Sequence, residues 1–101
     1  MKLSVLERVV ALSVLPREGS YVTLRIMNDL RNSLSFTEDE LKKFGISQNG
    51  GNTSWEIDGE SEIPIGEKAT DIIIESLKKL DKQEKLPAEG VSLYEKFIKT
   101  E

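Results

Sequence analysis

Histidine and cysteine are both missing from this chain of 101 residues. Their absence removes the thiolate nucleophile, the thiolate–imidazole zinc site and the one side chain that ordinarily titrates near neutral pH. Catalysis would have to rest on carboxylates, Lys, Tyr, Ser or backbone groups, and no spacing in the sequence gathers these. The chain therefore reads as non-enzymatic, with no catalytic residue, no cofactor and no transition metal. Without cysteine there is no disulfide framework, so the cytoplasm is the expected compartment. Long apolar runs are missing too. The stretch Met1 to Leu6 faintly imitates a signal peptide, but Glu7 and Arg8 interrupt it, and Val9 to Leu15 is too short to cross a bilayer. No membrane association is expected.

What is present describes a single small globular domain over residues 1–101, with 38% hydrophobic and 32% charged residues. The net charge of −4 is unevenly spread. Residues 1–34 carry five basic against three acidic residues, residues 35–67 two against eight, and residues 68–101 seven of each. An acidic middle argues against binding through bulk phosphate neutralisation, so nucleic acid is a disfavoured partner.

Apolar spacing predicts five helices. Leu3, Leu6, Val9, Val10 and Val14 place the first from about Ser4 to Leu15, ended by Pro16. Ser20 is a plausible N-cap for the second, whose inward stripe is Leu24, Met27, Leu30, Arg31 and Leu34. The third, Glu38 to Phe44, has the clearest signature. Thr37 and Glu40 form a capping box, Phe36 and Leu41 the matching hydrophobic staple, and Gly45 a left-handed end. Gly66 to about Lys82 is the longest helix. A last short one runs from Val91 to Lys99, presenting Val91, Tyr94, Phe97 and Ile98.

Between the third and fourth helices, Gln48 to Asn52 reads as a loop. Thr53–Ile57 and Ile63–Ile65 then alternate as two strands of a β-hairpin. An odd-length loop between them would pair Trp55 and Ile57 with Ile63 and Ile65 on one apolar face, and Pro64 marks an edge. The expected class is α+β: a helix-rich domain with a hairpin, in a winged-helix-like order.

Charged groups have structural explanations. Glu38-Asp39-Glu40 suits a helix N-terminus, and Glu67, Asp71 and Glu75 followed by Lys78, Lys79, Lys82 and Lys85 follows the helix dipole. Glu75–Lys79 and Asp81–Lys85 are spaced as i,i+4 pairs. The sole tryptophan, Trp55, is either a cap on a small core or an anchor for a partner. Incompletely covered apolar surface is expected at the hairpin, around Trp55, Ile57 and Ile63, and on the last helix, around Tyr94 and Phe97. These five are the candidate partner contacts.

Four stretches, Leu15–Gly19, Leu34–Glu40, Gly66–Asp71 and Ser92–Phe97, together resemble small uncharacterised proteins of tailed phages and prophages. The resemblance implies a bacterial cytoplasm and a role in phage assembly, regulation or host interference. It carries over no functional residue. The leading expectation is a module that binds another protein or its own copies. The alternative is a winged-helix-like transcriptional regulator, although the carboxylates opening its would-be recognition helix repel phosphates.

Overall fold

In the computed structural model, which describes residues 1–99, the chain is an α+β domain of five α-helices and two small antiparallel sheets. The order is β1 (Lys2–Ser4), α1 (Val5–Val14), α2 (Tyr21–Leu34), α3 (Glu38–Lys43), β2 (Ser47–Asn49), β3 (Asn52–Ser54), β4 (Glu60–Glu62), α4 (Glu67–Lys82) and α5 (Val91–Tyr94). A 3-10 turn, Ala88–Gly90, leads into α5, and a π-helical turn, Glu95–Lys99, continues it.

Local chemistry sets the helix ends. At α1, Ser4 Oγ accepts from Glu7 N at 3.1 Å while Ser4 N donates to Glu7 Oε1 at 2.8 Å, a capping box. Asp58, far along the chain, takes up a third orphan N–H there, accepting from Leu6 N at 3.0 Å. The box expected at α3 forms between Thr37 and Glu40. The α3 C-terminus closes with Ile46 N donating to Leu41 O and Gly45 N to Lys42 O, with Gly45 at φ 61°. This is the paired bonding of a Schellman motif. The end of α4 has the same pattern, Lys85 N to Leu80 O and Glu84 N to Asp81 O, but the left-handed residue is Glu84 at φ 56°.

The strands differ from the sequence expectation. The hairpin forms earlier, between β2 and β3, in the register Gln48 opposite Thr53 and Asn49 opposite Asn52. Gly50 and Gly51, both at positive φ, make the two-residue turn that such a hairpin requires. The segment holding Ile63 does not pair with Thr53–Ile57. Its neighbour β4 pairs instead with β1, Leu3 opposite Ser61, and Ile63 N donates to Met1 O at 2.8 Å. The reason is burial. The expected register would have stacked Trp55 and Ile57 on Ile63 and Ile65, whereas the fold sends these residues to different places.

Two apolar clusters result. The larger joins Leu3, Val10 and Ala11 to Met27, Leu30 and Leu34 of α2, Ile73 and Leu77 of α4, and Leu93 and Phe97 near the C-terminus. The smaller gathers Val5, Phe44 and Ile46, with Phe36, Leu41 and Trp55 packed around them. Helix α1 lies between the two. Val5 faces the small cluster, while Val10 and Ala11 face the large one.

Candidate functional site

The five candidate contact residues do not form one patch. Ile63 and Phe97 are buried in the large core and have almost no surface to offer a partner. Trp55 is half-buried on the small cluster. Tyr94 is half-buried against the large one, and its hydroxyl donates to Asp81 Oδ2 at 3.4 Å. Burial, the nearby Asp81 charge and that bond hold its pKa above the ordinary tyrosine value. Only Ile57, 56% exposed, faces solvent.

The charged residues that leave solvent serve the fold. Arg8 is 1% exposed, and its guanidinium grips Glu40 at 2.6 and 3.2 Å. Its remaining N–H groups donate to Leu34 O at 3.1 Å and Ser35 O at 2.7 Å, and its centre lies 4.2 Å from the Phe36 ring centroid. Glu40 also accepts from Ser61 Oγ at 2.6 Å. The hydrogen bonds from Arg8, with help from Ser61 and Thr37, outweigh burial and hold the Glu40 carboxyl down to about 2. On the other side of α1, Lys96 Nζ donates to Glu7 Oε1 at 2.7 Å, Lys2 O at 2.9 Å and Glu60 Oε2 at 3.0 Å. Burial pushes Glu7 up, but bonds from Lys96, the Ser4 backbone and Ser92 bring it below the usual carboxylate range. Lys96 is correspondingly raised: burial opposes its charge, and Glu7 and Glu60 more than compensate.

These networks are complete. No buried side-chain nitrogen or oxygen among the described residues lacks a partner. Nor, among those residues, do three Asp or Glu side chains converge as a metal ion would need. Glu38 and Asp39 stay exposed at the start of α3 while Glu40 turns inward. The expected Glu75–Lys79 and Asp81–Lys85 bridges are not among the ion pairs of the described residues. Among the described residues no helix is long and apolar enough to cross a membrane.

The surface that stands out lies on α2. Tyr21 and Val22, in its first turn, are 75% and 60% exposed, more than any other large hydrophobic residue described. One turn on, Ile26 is half-buried at the mouth of a cleft of about 380 Å³ between α2 and the start of α4. Ile26, Asp29, Leu30 and Ser33 form one wall, and Pro64, Gly66, Glu67, Lys68 and Ala69 the other. At about 100° per residue, Tyr21, Val22, Arg25, Ile26, Asp29 and Ser33 share an arc of roughly 140°. That arc lies beside the buried stripe of Met27, Leu30 and Leu34. Arg25 Nη1 donates to the Tyr21 hydroxyl at 3.3 Å, and neither Arg25 nor Asp29 belongs to an ion pair among the described residues. A signal for this face was present in the sequence: Val22 and Ile26, spaced i,i+4, fall outside the stripe that feeds the core. A second cleft, of about 370 Å³, separates Val14 and Pro16 from Glu75, Ser76, Lys79, Leu80 and Gln83 of α4.

No protein-family model matches the chain, and neither a curated protein nor a solved structure is similar to it.

Proposed function

We propose that this chain is a non-enzymatic protein-interaction module whose contact surface is the exposed face of α2 and the cleft beside it. The observation that carries the reading is the apolar pair Tyr21–Val22, left in solvent at the entrance to an apolar-floored cleft. Exposed tyrosine and arginine beside a pocket are the residue types that dominate interface energetics. The groups with displaced pKa values, Glu7, Glu40, Glu62, Tyr94 and Lys96, all lie outside both clefts. An acid–base catalyst would place such groups in a cleft. A role of this kind suits the phage or prophage context that the sequence resemblance implies.

The alternative, a winged-helix-like DNA binder, draws on one observation. The β2–β3 hairpin follows α3 directly, and all of its strand positions are polar and uncharged, with Lys42 and Lys43 just before it. Against it stand the exposed Glu38 and Asp39 at the end of α3 that would meet phosphates.

Photo-cross-linking in cells separates the two. A photoreactive residue at Val22 is expected to give a discrete protein adduct, and one at Lys82, on a different surface, none. Absence of any adduct from Val22, together with salt-sensitive submicromolar binding of duplex DNA by the monomer, would favour the alternative.

A further inference from the structure

The face on α2 is self-complementary. Its protruding residues, Tyr21 and Val22, lie at one end, and the cleft, bounded by Leu30 and Ser33, lies toward the other. The two ends are separated by about 16 Å along the helix. Laying a second copy of α2 antiparallel on the first, with the two-fold axis at the level of Met27, puts residue 21 opposite residue 33 and residue 25 opposite residue 29. Each protrusion then meets the other copy's hollow. The charges match in the same register, because Arg25 of one copy faces Asp29 of the other and the reverse pair forms by symmetry. A parallel arrangement would instead set Arg25 against Arg25 and Asp29 against Asp29. Like charges directly opposed are disfavoured, so the charge pattern selects the antiparallel packing.

Resting on the reading of α2 as a contact surface, we infer that the chain forms a two-fold symmetric dimer through α2. Tyr21 and Val22 of each copy enter the α2–α4 cleft of the other, and Arg25 of each pairs with Asp29 of the other. The arrangement is isologous, as two-fold interfaces are. It fills a cleft that a single chain leaves open, and it covers the two most exposed large apolar side chains described. A helix of 14 residues is a modest platform. Interfaces at the small end of the range are transient, so dimerisation in the micromolar range is expected.

Sedimentation velocity of the full chain over a concentration series tests the inference. Wild type should pass from monomer to dimer with rising concentration. Val22→Glu should weaken association at least tenfold, since it places a carboxylate in an apolar hollow. Arg25→Asp and Asp29→Arg should each weaken it several-fold, because each sets two like charges against each other twice. The double variant, Arg25→Asp with Asp29→Arg, should restore association toward the wild-type level. All three positions are exposed, and circular dichroism will confirm that each variant folds. A strict monomer at every concentration overturns the inference. A dimer indifferent to Val22→Glu, or one that the charge swap fails to rescue, overturns it as well. A monomer that still cross-links from Val22 to a protein of different mass would sink the dimer and leave the module reading standing.

Discussion

Two lobes clamp α1 from opposite sides, and they are built alike but finished differently. One is the α3 lobe with its small apolar cluster, and the other is the segment after α4 that carries Leu93 and Phe97 into the large core. Each is tied to α1 by an ion cluster, through neighbouring residues: Arg8 reaches the first, Glu7 the second. Each is joined to a helix by a Schellman turn, around Gly45 in one case and Glu84 in the other. In the α3 lobe the cation is sealed, the anion takes three kinds of donor, and glycine occupies the left-handed position. In the C-terminal lobe the cation is 30% exposed, and a side chain sits where glycine fits best. Similar devices therefore differ in worth according to burial and backbone fit.

The largest expected effect comes from removing the sealed cation. Arg8→Met leaves Glu40 without its main partner and strips donors from Leu34 O and Ser35 O, at a cost of about 3–5 kcal/mol. Lys96→Met, in a site where water can reach the cluster, should cost about 1–2 kcal/mol. Chemical denaturation of both variants checks the order. Equal losses would erase the distinction between the lobes.

Acid should sharpen it. Glu40 has a folded pKa of about 2 against an ordinary value of 4.5, so its contribution is present above pH 4.5 and is lost as pH falls toward 2. That contribution is on the order of 2–3 kcal/mol. Glu7 is lowered as well, so it adds to the same acid-side loss. Stability measured from pH 6 to pH 2 should fall with a slope that Glu40→Gln flattens more than Glu7→Gln does.

The smallest effect concerns the turns and has opposite signs in the two lobes. Glu84→Gly relieves a left-handed side chain and should raise stability by about 0.5–1 kcal/mol. Gly45→Ala should lower it by about 1 kcal/mol or more, because the new Cβ would sit 2.9 Å from Glu56 as well as at positive φ. Thermal melts of the two variants moving in the same direction would contradict this account.

The parts of this fold that local chemistry decides were legible in the sequence. Thr37 and Glu40 announce α3, Ser20 opens α2, and Gly66 to Lys82 forms α4 as the spacing requires. What escaped depends on distant neighbours. Glu7 and Arg8 look like solvent-facing interruptions of an apolar run, and only the arrival of Glu40, Leu34 and Lys96 makes their burial tolerable. The hairpin was misplaced because alternation around Trp55 outweighed the turn signal of Gly50-Gly51. The contact face was missed for a related reason. Attention to the inward stripe of α2 passes over Val22 and Ile26, whose meaning appears only when α4 closes the cleft.

The pairing of β1 with β4 bears on how fast the chain reaches this state. Ser4 meets Glu60, and Glu7 meets a lysine 89 positions away, whereas Arg8 meets Glu40 across only 32. Closing a longer loop costs more chain entropy before any contact offsets it. The α3 lobe should therefore dock on α1 first and the C-terminal lobe last. In denaturant-jump kinetics, substitutions at Glu40 should then slow refolding, while substitutions at Lys96 should chiefly hasten unfolding. A chain whose secondary structure is mostly helix would fold at a tempo set by two three-residue strands.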